Sequence, residues 1–151
     1  MKIVLLLVIC LCFVYIAVQV KNYYIKRCAF YASFVTFINT LSSEISFLKS
    51  DYATIINSNS FGKDVDTCLK CYLGNLPISI NYLTSDEIDC IVKFLDSIGK
   101  TNVQGELNNI QFYLNQFNQK VAKCNQEKLS HGMLWFKLIC LFGLLVCIVL
   151  I

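Results

Sequence analysis

Histidine occurs once in this chain, at position 131, and proline once, at position 77. One imidazole leaves no Ser–His or Cys–His pair beyond chance, so nucleophilic catalysis has no candidate residues. The six glycines are scattered, which excludes a glycine-rich cradle for phosphate. Charge is sparse, at 15% Asp, Glu, Lys and Arg. Within residues 21–132 the 11 basic side chains nearly cancel the 10 acidic ones. With no basic stripe carrying interleaved aromatics, nucleic acid is not an expected partner. Strand-like alternation is confined to Ile78–Tyr82, which has nothing to pair with and reads as an extended linker or an irregular turn.

Cysteine, by contrast, is plentiful, with nine residues. An odd count at irregular spacing is not a disulfide framework, and free cysteine packs as a small hydrophobe in a reducing compartment. Cys68-Leu69-Lys70-Cys71 is the sole Cys-x-x-Cys. A zinc site would need a second pair or nearby histidines, so these thiols are expected to be packing residues, with no metal and no cofactor.

Hydrophobic residues make up 56% of the chain and mean hydropathy is +0.58. The excess lies at the two ends. Ile3–Val18 is an unbroken apolar run between Lys2 and the basic group Lys21, Lys26 and Arg27. Ala17-Val18-Gln19 lacks the small-x-small pattern of a cleaved leader, so the run is expected to stay as a membrane span. Leu138–Ile151 is apolar on every face and, extended back to Met133, is long enough for a second span. Residues 1–20 and 133–151 are therefore expected to cross the bilayer, with a helical domain at 21–132. Lys21, Lys26, Arg27, Lys120, Lys123, Lys128 and His131 flank the spans on the domain side. The positive-inside rule then puts the domain in the cytoplasm and both termini on the far face.

Inside the domain the apolar spacing is helical. Leu107, Ile110, Leu114, Phe117, Val121 and Cys124 recur at three and four, a seam for packing along a helix. Phe34, Phe37, Leu41, Ile45, Leu48, Tyr52 and Ile55 repeat it, and no Gly or Pro occurs between Met1 and Asn59. A long first helix to about Ile56 is expected, antiparallel to the last, with Leu41–Tyr52 facing Leu114 and Phe117. Between them, Asp64 is expected to cap a helix over Val65–Leu73 that Gly74 ends. Thr84-Ser85-Asp86-Glu87 is a capping box for a helix that Gly99 closes, and Thr101-Asn102-Val103-Gln104 a second box for the final helix. The fold class is all-α, an antiparallel helical bundle tethered at both ends by a transmembrane helix.

The most specific stretch is Phe94-Leu95-Asp96-Ser97-Ile98-Gly99-Lys100-Thr101-Asn102-Val103-Gln104-Gly105-Glu106-Leu107. With the tail Gly143–Ile151, and with Leu41-x-x-Glu44-Ile45, it resembles the stage III sporulation protein AB family of endospore-forming bacteria. Asn102 stands where the family usually has Asp, and Glu106 where it usually has Gln. The resemblance covers the layout of the whole chain and is strongest over the last 70 or so residues. It implies a bundle similar to the cytoplasmic domain of type II secretion F proteins. It also implies a multi-pass platform protein in the mother-cell membrane around the forespore, part of the sporulation-specific transenvelope channel. The implied partners are the cytoplasmic AA-type ATPase and other membrane proteins of the same complex, beside the lipid bilayer and, for a homo-oligomer, a second copy. A generic membrane-anchored helical adaptor is the alternative. Both readings are non-enzymatic. The expected contact surface is Asp86, Glu87, Asp89, Lys100, Thr101, Asn102, Gln104 and Glu106, of which the acidic trio also suits the positive end of a helix dipole.

Overall fold

Helix α1 runs without interruption over Lys2–Phe47 in the computed structural model, which describes residues 2–47, 56 and 60–150. The absence of Gly and Pro is what permits it. The expected continuation to Ile56 crosses residues 48–55, which lie outside the described residues; Ile56 itself is helical and buried. Four further α-helices follow: α2 (Lys63–Leu73), α3 (Ser85–Ser97), α4 (Val103–Glu127) and α5 (Met133–Leu150). A π turn, Lys128–Gly132, joins α4 to α5. Gly132 therefore does not break the last helix, which continues from Val103 to Val146. The Ser130 hydroxyl donates to the Gln126 carbonyl at 2.8 Å, a bond that competes with the regular ladder at that turn. No strand occurs among the described residues, and Leu76–Ile80 is irregular.

The chain divides into two compact units. One is Ala29–Ala122; the other combines Met1–Cys28 with Lys123–Ile151. Helices α1 and α4 contribute residues to both.

The core of the first unit is aromatic. Phe34 of α1 is fully buried and stacks on Phe30 at 5.9 Å. It also meets Phe94 of α3 at 6.0 Å and Phe117 of α4 at 4.9 Å. Phe37 extends the cluster to Phe61 at 5.2 Å. The α4 seam is buried here at Ile110 and Phe117, and its last member, Cys124, is buried within the other unit. Its register on α1 differs from expectation. Phe117 lies against Tyr31 and Phe34, about two turns before Leu41, where the expected partner stripe starts; residues 48–52 of that stripe lie outside the described residues. The 3–4 spacing fixes which face is buried but not the height at which two helices meet, and here the aromatic rings set that height. Lys120 over the Tyr31 ring, at 5.8 Å, and Phe117 on Phe34 give the antiparallel sense.

Helix α2 also starts differently. Gly62, not Asp64, is its N-cap and supplies no side-chain bond. Asp66 reaches back past that cap to hold the preceding loop, accepting from Phe61 N and Ser60 Oγ, both at 2.8 Å. At its end Gly74 is the cap, yet the left-handed residue is Asn75, at φ 51°. Leu76 N to Cys71 O and Asn75 N to Tyr72 O close a Schellman-type turn.

In the second unit the paired helices pack through Phe13 and Phe142, with ring centroids 6.1 Å apart. Gly143 is buried beside Phe13. Exposed apolar side chains predominate on both helices: Val8, Leu11, Val14, Tyr15 and Ile16 on α1, and Leu138, Leu141, Leu144 and Leu145 on α5, with Gln19 and Lys137 exposed among them. Among the described residues one helix, Val103–Val146, is long and apolar enough to cross a membrane. The expected span over residues 1–20 depends on side chains at 1–7, 9 and 10, which lie outside the described residues.

Candidate functional site

Helices α3 and α4 form an antiparallel hairpin, and its local chemistry is set at both helix starts. At α3 the expected capping box is present. Glu87 N donates to Thr84 Oγ1 at 3.3 Å, and Thr84 N donates to Glu87 Oε2 at 2.9 Å. Gly99, at φ 80°, takes the left-handed turn after α3 that a side chain would resist.

At α4 the expected Thr101–Gln104 box is replaced by a neighbouring arrangement. Asn102 is the capping side chain, accepting from Gly105 N at 2.8 Å. Asn is the stronger cap type, but it puts a glycine at the third helical position, where no side chain can reach back. Glu106 does so one residue later, accepting from Thr101 N at 2.9 Å and Thr101 Oγ1 at 3.0 Å. The space this needs excludes a Cβ at position 105, which would lie 2.7 Å from Thr101 Oγ1. Gln104 instead donates to Asn108 on the surface.

These bonds sort the eight sequence-derived contact residues. Glu106 is 5% exposed and serves the turn. Glu87 serves its cap. Asp86, Asp89, Lys100, Thr101, Asn102 and Gln104 are exposed. They do not form one cluster, because Asp86 and Lys100 stand at opposite ends of α3, about 20 Å apart at 1.5 Å per residue.

What the hairpin does bring together is a groove along its side. Its register is fixed by Asn109 Nδ2 donating to Ser97 Oγ at 2.7 Å, by Phe94 against Tyr113 at 5.0 Å, and by the Cys90 thiol on Gln116 Oε1 at 3.7 Å. Asp86, Cys90 and Lys93 of α3 and Phe112, Tyr113 and Gln116 of α4 line a groove of about 280 Å³. Phe112 is 64% exposed and rests edge-on against Tyr113 at 5.4 Å. Sequence reasoning named only Asp86 of these six. The available signal was Phe112 itself, an aromatic outside the 3–4 seam on a face otherwise made of Asn and Gln.

Electrostatics single out the same side. Between Ala29 and Ala122 nine acidic residues face six basic ones. Most of the acids are engaged: Asp64 accepts from the Tyr82 hydroxyl, Asp96 from the Tyr72 hydroxyl at 2.6 Å, and Asp66 from Phe61 N and Ser60 Oγ. Asp86 and Asp89 carry no ion pair among the described residues and face solvent. Burial, then the bond to Asp96, pushes the Tyr72 hydroxyl up to about 12. Burial and the Asp64 bond raise Tyr82 as well.

Cys68 is 1% exposed on the core face of α2, and Cys71 is half-buried one turn on; both are free thiols. Burial, with Cys71 alongside, pushes the Cys68 thiol up to about 12, which keeps it protonated and packing. His131 lies in the π turn, its side chain outside the described residues.

A family model for stage III sporulation protein AB matches residues 56–151, well over half of the chain. The matched segment holds α2 to α5, including the whole groove; the Leu41-x-x-Glu44-Ile45 likeness falls before it. No curated protein and no solved structure matches the chain.

Proposed function

The chain belongs to the stage III sporulation protein AB family, and we propose that it is a non-catalytic platform of the sporulation channel between mother cell and forespore. In this reading residues 1–20 and 133–151 are two antiparallel spans in the mother-cell membrane around the forespore. Residues 21–132 then form a cytoplasmic bundle whose α3–α4 groove receives the AA-type ATPase of the same complex. The outward apolar side chains of α1 and α5 and the basic flanks of both spans support the anchoring.

The observation that carries the docking role is the exposed Phe112 over Tyr113, beside Asp86 and with Asp89 on the same helix. An exposed aromatic flanked by the Asp86 carboxylate and the Lys93 ammonium fits a partner helix with an apolar anchor and charged side chains of complementary placement. The test is co-purification of the ATPase with tagged full-length protein from sporulating cells. Phe112→Glu, and Asp86→Lys with Asp89→Lys, should lose the ATPase, whereas Lys70→Glu on α2 should keep it. Retention by the Phe112 variant would place docking elsewhere.

A further inference from the structure

Glu127 is the single acidic residue in the unit made of Met1–Cys28 and Lys123–Ile151, against seven basic ones. The positive excess of the chain thus lies wholly with its apolar helices. Within that unit Lys21, Lys26 and Lys128 fall within about two helical turns of one another along the helix axes. Lys21 sits over the Phe136 ring at 5.8 Å, and Arg27 pairs with Glu127 at 3.1 Å, so α1 runs antiparallel to the α4–α5 helix. This register brings Lys26, next to Arg27, level with Lys128, next to Glu127. The half-buried Arg27–Glu127 pair uses up the only carboxylate. Lys21, Lys26 and Lys128 are exposed, and neither Lys26 nor Lys128 has an ion pair among the described residues.

Aromatic residues mark where this level lies. Tyr23 is 42% exposed, and Trp135, the one tryptophan of the chain, is 50% exposed. Exposed Tyr and Trp next to apolar helices belong at the lipid–water interface. At 1.5 Å per residue, Lys26 stands about 5 Å from Tyr23, and Lys128 about 10 Å from Trp135. That is headgroup depth, within reach of a flexible lysine arm. Lys128 also opens the π turn, an irregularity that recurs in helices at functional sites.

We propose that Lys21, Lys26 and Lys128 form a collar that binds the phosphate headgroups of anionic phospholipids. The collar does more than orient the chain on insertion: it retains lipid. Each lysine at an anionic surface strengthens binding roughly fivefold, and three together about a hundredfold, falling with salt. The proposal rests on the two-span reading above.

Full-length protein in a neutral detergent is titrated with phosphatidylglycerol or with phosphatidylcholine of the same acyl chains, and bound lipid is counted by native mass spectrometry. Phosphatidylglycerol should bind at roughly a hundredfold lower concentration. The Lys21→Gln, Lys26→Gln, Lys128→Gln triple variant should lose the preference, the corresponding triple Arg variant should keep it, and Lys63→Gln on α2 should leave it intact. Equal binding of the two lipids by the wild type, or an undiminished preference in the triple Gln variant, overturns the collar. Displacement of phosphatidylglycerol by inorganic phosphate at matched concentration would make it a free-anion site and overturn it too. The wild-type comparison decides the matter even where a variant fails to fold. Alkaline carbonate extraction of membranes separates the two readings: release of the protein sinks the anchoring, whereas retention without lipid preference sinks only the collar.

Discussion

The ring of Phe117 meets the ring of Phe34 edge-on, with centroids 4.9 Å apart and planes inclined at 61°. Both side chains are fully buried, and Phe94 joins them from α3. One contact thus ties α1, α3 and α4. Phe117→Ala removes it and leaves a cavity, at a cost of about 3–5 kcal/mol. That is a large share of the roughly 5–15 kcal/mol available to a domain. Full-length protein in detergent, melted by circular dichroism, should show a much lower transition for Phe117→Ala and almost none of that drop for the exposed Gln119→Ala. Equal melting temperatures would contradict the aromatic core.

The start of α4 makes a second prediction, one that separates the observed cap from the Thr101–Gln104 box. Asn102→Ala should cost about 1 kcal/mol. Glu106→Ala should cost about 1–3 kcal/mol by stranding the Thr101 donors. Gln104→Ala, on the surface, should stay within about 0.5 kcal/mol. Urea midpoints at unchanged slope read all three. A larger loss for Gln104→Ala than for Asn102→Ala would restore the Thr101–Gln104 box.

Gly143 is a third test point. A Cβ built there lies 3.0 Å from both Cβ and Cγ of Phe13, so the approach of α1 to α5 depends on its missing side chain. Gly143→Leu should separate the helix pair, and pairing Gly143→Leu with Phe13→Ala should recover part of the loss. Thermal stability in lipid nanodiscs measures this. An unchanged transition in Gly143→Leu would mean that the two helices do not pack at this point.

Alkaline pH gives the fourth. Cys68 and Tyr72 both have folded values pushed up to about 12, from 9.0 and 10.0. A raised value means the folded state favours the protonated form. Their contribution is therefore complete below about pH 9 and is lost as pH rises toward about 12, because the unfolded chain deprotonates first. Urea midpoints should fall over that window and fall less steeply in Cys68→Ala with Tyr72→Phe. A wild-type midpoint flat from pH 8 to pH 11 would contradict the assignment.

Much of the fold was legible because helical burial is periodic. Ile110, Phe117 and Cys124 announce their face by spacing alone, and Thr84 with Glu87 announces a cap by residue type. The height of Phe117 on α1 was not legible, since a seam repeats every turn and ring-to-ring fit chooses among the repeats. The α4 cap was misread because Thr101 and Asn102 are both capping types; the choice turned on Glu106 reaching back. The contact surface was partly legible. Asp86 could be picked from charge, whereas Cys90 and Gln116 become neighbours only once the hairpin register exists. Phe112 stood out of pattern in the sequence, and three-dimensional packing was needed to give it Tyr113 as a backing.

The central proposal is that the α3–α4 groove receives the AA-type ATPase. The most direct measurement places a photo-crosslinking benzophenone side chain at position 112 of the full-length chain in sporulating cells, with position 70 on α2 as the control site. The account predicts an ultraviolet-dependent adduct with the AA-type ATPase from position 112 and none from position 70. An adduct from position 112 with a second copy of this chain alone, or equal ATPase adducts from both positions, would contradict it.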